Sequence, residues 1–223
     1  MIATFFRLLA IGLVGFMLSS CGGTYEWNQN LTVKVQTPDG EKTGYSVMQA
    51  RLIDTHGPFV PAEANGVSFQ LSGEAVTLEV APGRYLFVLL KGVPSLSWLA
   101  YPKMDSAKAG ALLEKGDNGG TGVSLDPSQY PVLVTFDDVK DPASVKRVDP
   151  AHLEAAFGTG HRLISISLSL TDEPVTKGKV KKVLGWLDRY YDNHLDGERI
   201  ESIAAKNRLA NSLASGDFDT EKK

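Results

Sequence analysis

Three aspartates close together in the sequence are candidates for metal binding or acid–base catalysis: Asp137, Asp138 and Asp141. With Asp117 they could converge on a calcium ion, because Ca²⁺ is held by several carboxylate oxygens. Two of them could instead serve as the acid and the base of glycan cleavage. Their spacing does not match an EF-hand loop, and acidic residues are also common in turns. We therefore predict no metal site and keep these aspartates as its candidates.

The other residue types that carry catalysis do not form a motif. His56, His152, His161 and His194 are far apart in the sequence, and none of them starts the paired-histidine motif of a zinc protease. No serine lies in the Gly-x-Ser-x-Gly turn of a serine hydrolase. The glycine-rich stretch 116–122 lacks the Gly-Lys-Ser/Thr ending of a phosphate-binding loop. We predict no catalytic residues and no cofactor.

Cys21 is the only cysteine of the chain, so it cannot form an internal disulfide. The residues before it have the order of a signal peptide: one cation, Arg7, then the apolar run 8–17, then small residues. The apolar run is about half as long as the ~20 residues that a membrane-spanning helix needs. We therefore expect an exported chain and favour cleavage over a permanent anchor helix.

Leu18, Ser19, Ser20 and Cys21 resemble the lipobox of bacterial lipoproteins, in which an aliphatic residue and two small residues precede the cysteine. The resemblance implies that the lipoprotein signal peptidase recognises the first three residues and cuts before Cys21. It also implies that Cys21 carries diacylglycerol and that its amino end is acylated, with palmitate as the expected label. Two or three acyl chains hold a protein stably, so the membrane is the expected partner. The alternative is an ordinary signal peptide followed by an incidental cysteine.

Gly22 bears on which membrane carries the protein. In enteric-type lipoproteins an aspartate after the lipidated cysteine favours retention in the inner membrane. Glycine at this position therefore implies the outer membrane, with the domain facing the periplasm.

The chain divides into a signal peptide (1–20), a lipidated linker (21–30), one β-rich domain (31–196) and a polar, partly disordered tail (197–223) with weak helical spacing at Ile200, Ile203 and Ala204.

Composition is that of a folded, mildly acidic protein. Hydrophobic residues make up 43% of the chain and charged residues 22%, which favours a packed core over disorder. Removal of residues 1–20 takes away Arg7 and leaves 22 basic against 26 acidic side chains, a net charge of −4. Nucleic acid is excluded as a partner, because phosphate binding requires clustered lysine and arginine.

The first half of the mature chain is rich in predicted strands. Leu31, Val33 and Val35 alternate with polar residues, the two-residue period of a half-buried strand, and a Pro-Asp-Gly turn follows them. Further strands are predicted at residues 45–53, at 67–71 and 76–80, which we expect to form a hairpin or meander, and at 85–90, which is apolar on both faces and therefore central.

The second half alternates strands and helices. Strands are predicted at 131–136 and 164–170, and helices at 107–115, 151–157 and 179–191. The helix at 151–157 follows the capping pair Asp149-Pro150. The fold class is therefore α+β, with a β-rich N-terminal meander or sandwich-like part and a strand-helix-strand-helix C-terminal part.

The predicted helix 179–191 carries two surfaces that could bind a partner. Cations at a helix start oppose the helix dipole, so anionic head groups or a partner could favour the lysines found there, although a solvated face is the alternative. The aromatic residues could form a ledge for sugar or peptide, although helical spacing is also typical of core. These residues are Lys177, Lys179, Lys181 and Lys182, and Trp186, Tyr190 and Tyr191.

The stretches 130–136 and 171–176 resemble a pattern of uncharacterised proteobacterial envelope proteins. The region from 130 to 176 covers about a fifth of the chain. The resemblance implies relatedness and a shared fold but no chemistry.

Three classes of function remain open. The first is a non-catalytic envelope lipoprotein that binds or scaffolds another envelope component. The second is a module that binds a glycan or a lipid, which requires an apolar pocket with a few converging polar groups. The third is a carboxylate-dependent hydrolase, which requires a close acidic pair in a cleft.

Overall fold

The computed structural model describes residues 22–57, 60–117 and 122–222. Within these residues the chain forms two antiparallel sheets and four short helices, so the α+β class predicted from the sequence is confirmed. No helix in the described ranges is long and apolar enough to cross a membrane. The lipobox-like residues Leu18, Ser19, Ser20 and Cys21 lie outside the described residues.

The first sheet has five strands and contains the longest hairpin of the chain. Its strands are β1 (Thr24–Thr37), β2 (Gly40–Asp54), β3 (Val67–Ser72), β6 (Val123–Ser124) and β9 (Arg162–Leu170). Their order across the sheet is β3-β2-β1-β9-β6, with β1 and β9 antiparallel neighbours. β1 and β2 pair in register from Thr24 opposite Ile53 to Thr37 opposite Gly40. The predicted strands at 31–35, 45–53 and 164–170 are present.

The second sheet has four strands in the order β4-β5-β7-β8. They are β4 (Val76–Ala81), β5 (Arg84–Val88), β7 (Leu133–Phe136) and β8 (Val145–Arg147). β5 lies between two other strands, and Leu86, Phe87 and Val88 on both of its faces are buried. The prediction of a central strand from its unbroken apolar run is therefore confirmed for this part of the chain.

The hairpin predicted between residues 67–71 and 76–80 is wrong. β3 pairs with β2 up to Ser72 opposite Gln49, and the chain then bends and enters the second sheet as β4. Gly73 makes the bend with a φ of +147°, and a Cβ there would lie 3.2 Å from the Cα of Met48. Alternation indicates two strands with a break, but it does not distinguish a turn from a bend that changes sheet.

The four helices are α1 (Leu96–Ala100), α2 (Ser106–Glu114), α3 (Leu153–Phe157) and α4 (Lys179–Val183). α2 and α3 match predicted helices within two residues. The long helix predicted at 179–191 is wrong, because α4 ends at Val183 and only a 3-10 turn at Leu187–Arg189 follows. Leu184 and Leu187 are nevertheless fully buried, so their spacing reflects burial of an irregular segment rather than a helix.

Three layers make up the core. The inner faces of the two sheets form the larger cluster, with residues such as Leu31, Leu52 and Leu86. The opposite face of the second sheet is covered by residues that follow α4, through a second cluster that includes Phe87 and Phe218. The second sheet is therefore buried on both faces.

Two boundaries predicted from the sequence require correction. The linker expected at residues 21–30 is much shorter, because β1 already begins at Thr24. The polar tail expected at 197–223 instead packs against the second sheet, where Ala210, Leu213 and Phe218 are buried. The physical reason is that the second sheet has an apolar outer face that requires a cover, and this segment supplies it.

Candidate functional site

The aspartates considered as ligands or acids serve the turn that joins β7 to β8. Asp137 pairs with Lys146 at 2.6 Å, and Asp138 and Asp141 accept the backbone N–H groups of Lys140 and Ala143. Among the described residues no group of three or more His, Cys, Asp and Glu side chains is placed to hold a metal ion. The three aspartates are neighbours on one turn, but their carboxylates act on separate partners.

Asp117, the fourth carboxylate of the calcium hypothesis, does not join that turn. It follows α2, where its carboxylate accepts a hydrogen bond from the hydroxyl of Tyr101 at 2.9 Å. Asp117 therefore belongs to the region after α2 and not to the turn between β7 and β8.

A polar cleft of about 550 Å³ lies beside the turn and contains a histidine–aspartate pair. Nδ1 of His152 is 2.9 Å from a carboxylate oxygen of Asp149, and this hydrogen bond raises the pKa of His152 and lowers the pKa of Asp149. Both side chains are largely exposed. Arg84, also in the cleft, donates to the carbonyls of Ala156 and Phe157, so it holds α3 rather than facing a ligand.

Two of the three aromatic residues proposed as a ledge, Trp186 and Tyr190, contribute to the core instead. Trp186 is buried, donates its indole N–H to the carbonyl of Val139 at 2.8 Å, and lies edge-on to Phe136 and Tyr190. The hydroxyl of Tyr191 donates to the backbone carbonyl of Glu221. Core packing, the alternative left open by the sequence, is therefore the observed role of Trp186.

Three of the four lysines around α4 are committed to contacts within the chain. Lys177 pairs with Glu221 at 3.2 Å, and the ammonium of Lys179 lies 4.2 Å from the ring centre of Tyr45. Lys181 pairs with Asp188 at 2.9 Å and with Asp219 at 3.4 Å. These partners account for the cations at positions 177, 179 and 181 without an external anion.

A buried charge cluster at the bend between β3 and β4 could not be predicted from the sequence. Glu74 is only 1% exposed, and its carboxylate accepts the N–H groups of Lys179 and Val180 at the start of α4. Burial raises the pKa of Glu74, although the two N–H groups oppose it. Its backbone also forms a bridge with Asp219 near the C-terminus. The one hint of this cluster in the sequence is that Glu74, an acidic residue, lies between two stretches in which apolar residues alternate.

Lys181 joins α4 to the C-terminal segment within the same cluster. Burial of its ammonium lowers the pKa of Lys181, but the hydrogen bond to Asp188 and the charge of Asp219 outweigh burial, so the net shift is upward. The cluster therefore ties together three distant parts of the sequence: the bend, α4 and the residues near 219.

The most exposed apolar side chains described belong to a surface loop, residues 196–209, which we call the isoleucine loop. Ile200 is 79% exposed and Ile203 is 88% exposed. A single exposed apolar side chain is ordinary at the surface, but here two stand three residues apart on one loop. The sequence indicated only a weak helical spacing here, and the structure contains no helix in this loop.

Two asparagines hold the isoleucine loop in place. The side chain of Asn211 accepts the N–H of Ser202 at 2.5 Å and donates to the carbonyl of Ile200 at 3.3 Å. The side chain of Asn207 donates to the carbonyls of Ala143 and Val145, both at 2.8 Å. The loop is therefore fixed both to itself and to the edge of the second sheet.

An open cleft of about 790 Å³ lies between the isoleucine loop and the turn at Ala143. Its wall includes Ile200, Glu198 and Lys206. The segment 196–208 contains three acidic and three basic residues, so its charges balance.

The start of the folded body lies directly after the lipobox-like segment. The carbonyl of Gly23 accepts the N–H of Asp54 at 2.8 Å, which fixes the chain two residues after Cys21. A Cβ on Gly22 would lie 1.6 Å from the carbonyl oxygen of Asp54. Glycine at position 22 therefore has a packing reason in addition to the sorting role expected from its position.

Comparison with known proteins adds no assignment to these features. No protein-family model, curated protein or solved structure matches the chain. The features of the chain that bear on function are the isoleucine loop, the cleft beside it and the N-terminal residues.

Proposed function

We propose that the chain is a lipid-anchored, non-catalytic binding protein of the bacterial cell envelope, which holds an envelope protein partner through the isoleucine loop. The observation that carries the proposal is the pair of exposed isoleucines, Ile200 and Ile203, on a loop that Asn207 and Asn211 fix by side-chain hydrogen bonds. Lipid on Cys21 and the sorting position Gly22 place the protein on the outer membrane, facing the periplasm.

The shape of the loop suits a protein partner. Protein interfaces combine an apolar centre with a polar rim, and here Ile200 shares the cleft wall with Glu198, Glu201 and Lys206. A loop held rigidly before binding loses little conformational entropy on association, which strengthens a small contact. The balanced charge argues against direct docking on anionic lipid, because that would favour a net positive loop.

A glycan- or lipid-binding cleft has less support from the same residues. Such a site requires polar groups that are free to converge on the ligand. In this cleft the amide groups of Asn207 and Asn211 are already hydrogen-bonded within the chain. The cleft is also open, and of the two isoleucines Ile200 alone lies in its wall.

Photocrosslinking in the envelope of the source cells tests the proposal. A photoreactive residue placed at Ala204, which is exposed beside Ile203, should form a discrete adduct with one envelope protein. Ile203→Asp in the same probe-bearing chain should abolish the adduct, because a carboxylate cannot be desolvated in an apolar contact without a large cost.

Asp39→Asn, in the turn between β1 and β2, is the matched control and should leave the adduct unchanged, since it alters an exposed charge on another element. Membrane levels of all variants are compared to exclude loss of the protein itself. Either no adduct, or an adduct that survives Ile203→Asp, would contradict the proposed binding role of the loop.

A further inference from the structure

A second exposed apolar surface lies at the end of the molecule where the N-terminal chain enters the fold. It consists of Val67 and Phe69 on β3 and Trp98 on α1, and we call it the anchor patch. Val67 is 37% exposed and Trp98 is 45% exposed, while Phe69 lies half-buried between them and the core. The rings of Phe69 and Trp98 are 5.5 Å apart between centroids.

The strand register places the anchor patch close to Cys21. Gly23 is hydrogen-bonded to Asp54 on β2, and Asp54 is the partner of Val67 on β3. Two spacings between strands, each about 4.8 Å, therefore separate Val67 from Gly23, or roughly 10 Å. Only Gly22 stands between Gly23 and Cys21. A lipid on Cys21 would hold this end of the sheet at the membrane surface.

The exposure of Trp98 is built into the fold. Gln29, which is fully buried on β1, accepts the N–H of Leu96 and donates to the carbonyl of Pro94, and so fixes the start of α1. The ring of Phe69 stacks on the ring of Trp27, with 6.3 Å between the two centroids. The fold therefore presents Trp98 at a fixed position on an edge of the core.

We infer that the anchor patch rests in the interfacial layer of the membrane that carries the lipid of Cys21. The inference depends on the proposed lipid anchor and adds an orientation to it: the edge strand β3 and α1 face the bilayer. Tryptophan and phenylalanine suit this layer because a ring has an apolar body and tryptophan also has a polar N–H group. The short Gly22-Gly23 connection favours lipid as the occupant, because it leaves the patch little room to move away from the surface.

The fluorescence of Trp98 can report whether the anchor patch touches lipid, because the other two tryptophans, Trp27 and Trp186, are buried. The lipidated full-length mature protein is reconstituted in vesicles of phosphatidylethanolamine and phosphatidylglycerol, and its intact mass is measured first. Some of the lipids are brominated near the headgroup end of the acyl chains. These lipids should quench the tryptophan emission, and the vesicles should protect it from aqueous acrylamide.

Trp98→Phe should lose most of the lipid-dependent quenching, whereas Trp186→Phe, in the second core cluster, should retain it. Circular dichroism of both variants checks that they fold. A lipid-bearing protein that floats with the vesicles but shows no bromine quenching would overturn the membrane orientation while leaving the anchor intact. Shielding from acrylamide without bromine quenching would do the same, because protein or another copy would then cover Trp98. Absence of the lipid mass would overturn the anchor and the patch assignment together.

Discussion

The side chain of Glu74 makes a contact with a distant part of the chain that its neighbours in the sequence do not indicate. The alternation on either side of Gly73 predicts a break, and the structure contains one. The sequence could not show that the carboxylate at the break is buried and caps the start of α4, because that partner lies about a hundred residues away. Long-range polar contacts of this kind leave no periodic signal.

Glu74→Gln should change how stability depends on pH. Because burial raises the pKa of Glu74 above its ordinary 4.5, the folded protein binds this proton more tightly than the unfolded chain. The contribution of Glu74 to folding stability is therefore fully present below pH 4.5 and declines as the pH rises through the raised pKa. Urea unfolding at a series of pH values should show the wild type losing stability relative to Glu74→Gln as the pH increases.

The control for this prediction is Glu63→Gln, which alters an exposed glutamate in the connection before β3. Its stability should follow the wild type in parallel across the same pH range. If the difference between wild type and Glu74→Gln did not vary with pH, the assignment of a buried, proton-binding carboxylate at the bend would be incorrect.

At the scale of elements, strands with one buried face were predictable and irregular segments were not. Leu31, Val33 and Val35 point into the core while their neighbours do not, so their burial leaves a two-residue period in the sequence. The two-residue strand β6 and the three-residue β8 are too short to leave such a period. The segment after α4 is buried without regular structure, and its apolar residues imitate helical spacing.

The burial of the C-terminal segment against the second sheet could not be predicted from the sequence. Ala210, Leu213 and Phe218 are separated by polar residues and have no common period, so they resemble a solvated tail. Phe218 nevertheless lies edge-on to Phe87, with 6.0 Å between ring centroids, on the outer face of the second sheet.

Phe218→Ala should destabilise the protein by about 3–5 kcal/mol, the usual cost of removing a buried phenylalanine. The measurement is urea unfolding followed by tryptophan fluorescence. Ile203→Ala is the control, because it also shortens an apolar side chain of this segment but at an exposed position, where the change should stay within about 0.5 kcal/mol. Similar small effects for both substitutions would mean that the segment does not complete the core.

At the scale of the whole molecule, the described residues include two exposed apolar surfaces that bear on function. The anchor patch lies beside the N-terminal entry of the chain, and the isoleucine loop lies beside the turn at Ala143. The proposed lipid attachment is a prediction from four residues, because it depends only on a local sequence that resembles a lipobox. Neither surface could be predicted, because exposure depends on how distant elements pack.

The charge of the molecule bears on how it can be held at a membrane. With 22 basic and 26 acidic side chains after residue 20, the mature chain has no excess of cations to attract anionic lipid. In the proposed anchor, stable attachment comes from acyl chains, of which two or three are needed. Loss of the lipid should release the protein even when the anchor patch is intact.

The most direct measurement is the intact mass and membrane fractionation of the wild type beside Cys21→Ser, produced in a Gram-negative host supplied with radiolabelled palmitate. We expect the wild type to be cut before Cys21, to carry label and acyl mass, and to sediment with membranes. Cys21→Ser should carry no label and should leave the membrane fraction. An unlabelled wild type that is uncleaved, or cut elsewhere, and that fractionates like Cys21→Ser would contradict the lipid anchor on which the account depends.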